Sequence, residues 1–291
     1  MADPWLSHPA SREVLDEASS AIGMPIAEGC RDEAALATTS FVQPALLACD
    51  VAAFRVLRAE GLAEIVGVAG HSLGEFAALV AAGAISFPEA LELVVVRGDA
   101  MQRAGQERPG AMSALVGMGA DDAEVLCAEV RGDDVLVVAN RNSPAQSVAS
   151  GSVGAIERLE ALAKDRRVRA VRLPVAGAFH SELMRPAVQP VLDVLDRTEV
   201  RTPAIPIVEN VTGELVIDAT RLRELLGRQV VSPVWWETGV RNLASAGASA
   251  FLEAGAGDVL TKLMKRIDPA LAAIAVGSPQ AARAPLHPLE A

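Results

Sequence analysis

The chain has 291 residues, 51% of them hydrophobic and 22% charged, with a formal net charge of −11. That length holds one large domain or two small ones around a sizeable core, and that composition excludes a disordered chain. The acidic balance argues against a nucleic-acid binder; no basic-then-apolar signal opens the sequence, and no apolar run reads as long enough to span a bilayer.

Residues 9–22 have helical spacing (Val14, Leu15, Ala18, Ile22) and stop at Gly23. Thr38-Thr39 offers an N-cap for a helix over 42–60, with Pro44 early in it and Gly61 at its end. Three cysteines, Cys30, Cys49 and Cys127, stand in no metal or disulfide spacing, which predicts reduced thiols and a cytoplasmic location.

Residues 65–69 then read as a buried strand, followed by a sharp turn and a helix from about Leu73. The turn is Gly70-His71-Ser72-Leu73-Gly74, a G-x-S-x-G. Between an apolar strand and an Ala-rich helix this pentapeptide predicts a nucleophile elbow. The glycines remove side chains that would clash, the Ser72 hydroxyl stands exposed, and the helix N-terminus offers free N–H groups to an oxyanion.

Ser86-Phe87-Pro88-Glu89 is a capping box opening a helix that runs to about residue 102. Its apolar stripe is Ala90, Leu93, Val94, Arg97 and Met101, which puts a guanidinium on the buried face. Such a charge needs a partner. A structural carboxylate would serve, and so would a substrate carboxylate gripped bidentately.

From 110 to 177 the grammar changes. Strands over 111–118, 135–139, 146–151 and 168–175 alternate with helices over 121–130 and 153–165, with a turn at 140–144. This β-α-β-β-α-β order predicts a ferredoxin-like unit inserted in a larger α/β domain. Gly177-Ala178-Phe179-His180-Ser181 stands at its end. Of four histidines, His8 and His287 lie in Pro-flanked terminal stretches and His71 is expected to point off the other side of the turn. His180 is therefore the candidate base, on a loop small enough to approach Ser72. No acid offers itself as a third member, so a Ser–His dyad with a carbonyl-held imidazole is expected.

The remaining elements read as helix 186–196, strand 205–209, turn 210–213, helices 220–230 and 235–246, strand 250–253 and helix 259–267, with a frayed tail from 278. Asn210-Val211-Thr212 has sequon form but reads as a strand-end turn.

These motifs closely resemble the malonyl-CoA:acyl-carrier-protein transacylases and the related acyltransferase domains of polyketide and fatty-acid synthases. The matches run along nearly the whole chain. They include Gln43-Pro44-Ala45-Leu46, Gly70-His71-Ser72-Leu73-Gly74-Glu75, Arg97-Gly98 with Met101-Gln102, and Asn142-Ser143-Pro144-x-Gln146. Gly177 to Ser181, Asn210-Val211, Gln229-x-x-Ser232-Pro233-Val234 and Glu253-x-Gly255-x-Gly257 come next in order.

The resemblance implies an α/β-hydrolase-like large subdomain, residues 1–109 and 182–291, and a ferredoxin-like small one, residues 110–181. It implies that Ser72 attacks malonyl-CoA with His180 as base, and that the acyl-Ser72 intermediate passes to the phosphopantetheine thiol of an acyl carrier protein. In that scheme Arg97 holds the malonyl carboxylate and the Leu73 N–H is one oxyanion donor. The Gln229 carbonyl orients His180, Asn142 lines the cleft, and Phe179 disfavours a substituent on C2. The CoA thioester is substrate, with no resident cofactor, metal, nucleic acid or membrane.

The family opens with a strand and Gly-Gln-Gly-x-Gln, whose first Gln is the second oxyanion donor. This sequence opens Met1-Ala2-Asp3-Pro4-Trp5, which resembles the stretch a few residues after that motif. The expectation is a natural start roughly 15–20 residues upstream, one strand plus a loop. An in-frame stop codon with no such motif upstream would refute it. Asp258 stands where the family often has Lys. Lys164, Arg166, Arg167, Arg169 and Arg172 form a candidate contact for an acidic carrier or CoA phosphates; a solvated charged face reads equally well. A hydrolase releasing the acyl group to water and a non-catalytic carrier-binding protein are the alternatives.

Overall fold

The computed structural model describes residues 1–283. After a 3₁₀ turn (Asp3–Ser7) come α1 (Pro9–Ile22), the short α2 (Ile26–Gly29) and α3 (Glu33–Leu36), and the long α4 (Thr39–Ala59). Next are β1 (Val68–Ala69), α5 (Gly74–Ala81) and α6 (Phe87–Glu107). The inserted unit is β2 (Gly110–Val116), α7 (Ala120–Arg131), β3 (Leu136–Ser143), β4 (Gln146–Ser152), α8 (Val153–Asp165) and β5 (Arg169–Arg172). A 3₁₀ turn (Glu182–Ala187) leads to α9 (Val188–Leu195), β6 (Ile207–Val208), β7 (Leu215–Val216), α10 (Ala219–Gln229) and α11 (Trp236–Ser245). The last described elements are β8 (Ala250–Ala254), α12 (Val259–Ile267), β9 (Ala272–Val276) and α13 (Pro279–Arg283).

The main core gathers α1, α4, α5, α6, α9 and α10. By length and composition α4 is long and apolar enough to cross a membrane, which corrects the expectation that no run would reach. Yet 67% of its most apolar stretch is buried inside the fold, so here it serves as a core helix. It starts at Thr39 rather than 42, with Thr38 at the N-cap position and Pro44 inside the helix. The Ser86–Glu89 capping box forms as the sequence predicts and opens α6. Gly98 lets α6 lie against the start of α4: an added Cβ would stand 2.8 Å from the Thr39 carbonyl. That close crossing brings Arg97 beside Gln43.

The small sheet has the order β3-β4-β2-β5, all antiparallel, with α7 and α8 packed on one face. This is the spatial order of a ferredoxin-like unit. Residues 140–143, expected as a turn, belong to β3 instead. The strand runs on because Val234, from the large part, pairs with it: Arg141 N–H donates to Val234 O (2.9 Å) and Val234 N–H to Ala139 O (2.8 Å). No local sequence signal carries so distant a pairing.

The expected strand 65–69 shrinks to Val68–Ala69. It pairs in parallel with β6, and its other edge has no strand partner among the described residues. β7, β9 and α13 were not expected. The tail is ordered as far as Arg283: Ala282 is buried and Arg283 forks onto Glu60 (2.9 and 3.0 Å). His287 lies outside the described residues. His8 is half-buried, caps α1 through Nδ1, and stands 3.6 Å from Glu60, so it is less exposed than its Pro-flanked setting suggested.

Candidate active site

Ser72 sits between β1 and α5 with φ +52°, in the left-handed region that non-glycine residues rarely adopt. Gly70 makes the turn possible: an added Cβ there would fall inside the Gly74 backbone carbonyl. Gly74 itself faces open space, so of the two motif glycines it is Gly70 that sterics demand. Asn210 clamps the elbow from both sides. Its Oδ1 accepts the Ser72 N–H (2.7 Å) and its Nδ2 donates to Gly70 O (2.8 Å). The Leu73 N–H has no protein partner among the described residues.

His180 also has positive φ (+58°) and is buried. Its Nε2 lies 2.7 Å from Ser72 Oγ. Its Nδ1 faces two carbonyls, Gln229 O (3.1 Å) and Ser232 O (3.0 Å). Two acceptors there require the proton on Nδ1, which leaves Nε2 as the acceptor for the serine hydroxyl. Among the described residues no carboxylate completes a triad; the carbonyls of the 229–232 segment, just before Val234 docks β3, meet Nδ1 instead. Burial pushes the His180 pKa down to about 3, with the charges of Arg97 and His71 adding to the fall. The imidazole is therefore neutral and able to accept a proton at ordinary pH.

Arg97 is 1% exposed and, among the described residues, has no carboxylate in hydrogen-bond contact. Nη1 donates to Gln43 Oε1 (2.6 Å), and Nη2 to Gln229 Oε1 (3.0 Å) and Ser72 Oγ (3.2 Å). Nε–H has no partner, and the Phe76 ring lies 5.6 Å beneath the guanidinium. Burial lowers its pKa to about 10, against the pull of the Glu75 charge. Among the described residues a structural carboxylate is thus not its direct partner: neutral amides hold it beside Ser72.

Behind it lies Glu75, 1% exposed. Gln229 Nε2 donates to Glu75 Oε2 (2.6 Å) and to Ser72 O (3.0 Å), while Asn210 N–H reaches Glu75 Oε1 at 3.4 Å. Burial pushes the Glu75 carboxyl up to about 8.

His71 leaves the elbow on another side, as expected, but it is not idle. Its Nε2 meets Asn142 Oδ1 (2.9 Å) and its ring packs at 5.5 Å from Trp236. Asn142, on β3, thus joins the small unit to the elbow. Phe179 is half-buried, its ring packed with the cluster of Met112, Ala114, Ala139 and Val148 on the inner face of the small sheet. Sequence reasoning assigned no role to Glu75, Gln43 or Asn210. Each is a polar residue buried beside an apolar run, which was the available signal.

The basic cluster is exposed but partly neutralised. Arg166 pairs with Glu129 (2.7 Å) and Arg172 forks onto Glu160 (2.7 and 2.8 Å). Lys164, Arg167 and Arg169 have no ion pair among the described residues.

The model of the acyl transferase domain family matches residues 10–276. The chain belongs to that family. It is 39% identical over 294 residues to the malonyl CoA-acyl carrier protein transacylase of Escherichia coli (strain K12), covering 99% of this chain and 94% of that one. The protein of the same description in Bacillus subtilis (strain 168) is 37% identical over 278 residues, 94% and 87% of the two chains. Among solved structures, a malonyl-transacylase in complex with its type II PKS acyl-carrier protein superposes with a TM-score of 0.94. It is 36% identical, over 99% of this chain and 94% of that one.

Proposed function

We infer that this acyl transferase moves a malonyl group from malonyl-CoA to the phosphopantetheine thiol of an acyl carrier protein, through an acyl-Ser72 intermediate. The observation that carries the reading is Arg97: a buried guanidinium with an unpartnered Nε–H, held by two neutral amides and 3.2 Å from the serine hydroxyl. A charge left so poorly neutralised calls for an anionic partner. A three-carbon diacid thioester places its free carboxylate one carbon from the carbonyl that Ser72 attacks, within reach of the same guanidinium.

The chemistry is dictated by the hydrogen bonds. Ser72 Oγ adds to the thioester carbonyl as its proton passes to His180 Nε2. The oxyanion accepts from the Leu73 N–H. Collapse breaks the carbon–sulfur bond, and His180 returns its proton to the departing CoA thiol. In the second half the carrier thiol gives its proton to His180, its sulfur attacks acyl-Ser72, and the serine hydroxyl is regenerated. The Gln229 and Ser232 carbonyls stabilise the imidazolium that forms in each half. CoA enters as substrate, and the scheme uses no resident cofactor or metal. The three cysteines are buried and free of disulfides, which supports a reducing, cytoplasmic setting.

For the carrier we propose the exposed edge around Lys164, Arg167 and Arg169, whose charges are not spent on internal ion pairs; Arg166 and Arg172 are braced by their glutamates. Charge reversal at Arg167 and Arg169 should raise the carrier KM at unchanged acylation by malonyl-CoA. An unchanged KM ends that part of the proposal.

Intact mass after brief incubation with malonyl-CoA tests the main reading. A malonyl adduct on the wild type, none on Ser72→Ala, and discharge on adding carrier protein are the expected results. Release of CoA beyond one equivalent per chain without carrier would make the protein a hydrolase instead.

A further inference from the structure

Resting on the malonyl reading above, we propose that Glu75 is a positioning residue for the acyl carboxylate, acting through the Gln229 side-chain amide on Arg97. An amide has a donor end and an acceptor end, and it can be flipped. Gln229 sits with its Nε2 toward Glu75 Oε2 (2.6 Å) and Ser72 O (3.0 Å), which turns its Oε1 toward Arg97 Nη2 (3.0 Å). The opposite orientation would point two N–H donors at a guanidinium and the amide oxygen at the Ser72 carbonyl oxygen, and would take from Glu75 Oε2 the donor it now meets. Glu75, together with the Ser72 carbonyl, therefore fixes which end of Gln229 Arg97 meets. Gln43 holds Nη1 from the other side (2.6 Å). With both amides in place, the guanidinium plane stays on Ser72 Oγ.

The elbow does not need this relay. The Ser72 carbonyl also accepts the Glu75 backbone N–H (3.3 Å), which any residue at 75 retains; Asn210 secures the Ser72 N–H through its side chain, and its own backbone N–H, 3.4 Å from Glu75 Oε1, keeps an acceptor in Glu75→Gln. Loss of the Glu75 carboxylate should therefore be felt by an acyl group that carries a carboxylate and spare one that does not.

The test compares acylation by malonyl-CoA and by acetyl-CoA in single-turnover experiments. Glu75→Leu keeps the volume and removes the acceptor. It should lower malonylation about 10- to 100-fold while acetylation stays within about threefold. Glu75→Gln, which keeps one acceptor oxygen, should restore most of the malonyl rate. Gln229→Met cuts the same relay from its other end while keeping the backbone carbonyl on His180, and it serves if Glu75→Leu does not fold. Its malonylation should fall by a similar factor, and Glu75→Leu combined with it should cost little more than either alone. Equal losses for both acyl groups, additive losses in the double variant, or no loss at all would overturn the proposal. If wild type itself takes no malonyl group, the malonyl reading has failed; if wild type is malonylated and these variants keep its selectivity, only the role of Glu75 has.

Discussion

Arg97→Ala gives the sharpest test of how the site selects its acyl group. In wild type the guanidinium is 1% exposed and makes three hydrogen bonds, all to neutral groups. A substrate carboxylate binding there gains a buried, charge-assisted pair. Removing one partner of such a pair costs about 3–5 kcal/mol. At about 1.4 kcal/mol per factor of ten, malonylation should fall roughly 10²- to 10⁴-fold, mostly in kcat/KM. Acetyl-CoA has no carboxylate to lose, so its slow acylation should hold or rise.

The assay is adduct formation by intact mass at several thioester concentrations, with thermal melting as the control for folding. A second readout comes from electrostatics. Burial is the main reason the His180 pKa is low, and the Arg97 charge is the next. Deleting that charge raises the His180 pKa, so the acid limb of the acetylation profile should move to higher pH. If malonyl and acetyl rates fell together and the acid limb stayed put, Arg97 would be a structural brace, and the argument from its missing carboxylate would be wrong.

Other changes test other links. Gly70→Ala drives a methyl into the Gly74 backbone and should remove acylation activity, with a large drop in melting temperature or insoluble expression. Phe179→Ala should let methylmalonyl-CoA acylate Ser72 at least tenfold faster relative to malonyl-CoA, since a contact of this size is worth about 1–3 kcal/mol; an unchanged ratio would clear Phe179 of any selecting role. Glu75 has a folded pKa of about 8 against 4.5 for an ordinary Glu, so the folded state binds its proton more tightly. That contribution is complete below the ordinary value and is lost as pH rises through about 8, so Glu75→Gln should lose less stability than wild type over that interval, measured by denaturant melts.

The elements legible in the sequence were those whose signals are local. The helix over 9–22 with its terminal Gly23, the Ser86–Glu89 capping box and the helix over 153–165 formed as read, because periodicity and caps act within a few residues. The same holds for the βαββαβ order of the small unit, where each strand and helix carries its own pattern. The elbow and the burial of Arg97 were legible for the same reason: a strained strand-to-helix turn needs its small residues in place, and a helical stripe fixes which side chains face inward.

What tertiary structure decided were the partners. That Nδ1 of His180 would meet both the Gln229 and Ser232 carbonyls, that Asn210 would clamp both sides of Ser72, and that Gln43 and Gln229 rather than a carboxylate would hold Arg97 depends on segments far apart in the chain. The continuation of β3 through residues 140–143 likewise awaited Val234. Sequence dictates which groups are buried and therefore owed partners; only packing between distant segments determines which partners they receive, because hydrogen bonds are short and directional while apolar burial is neither.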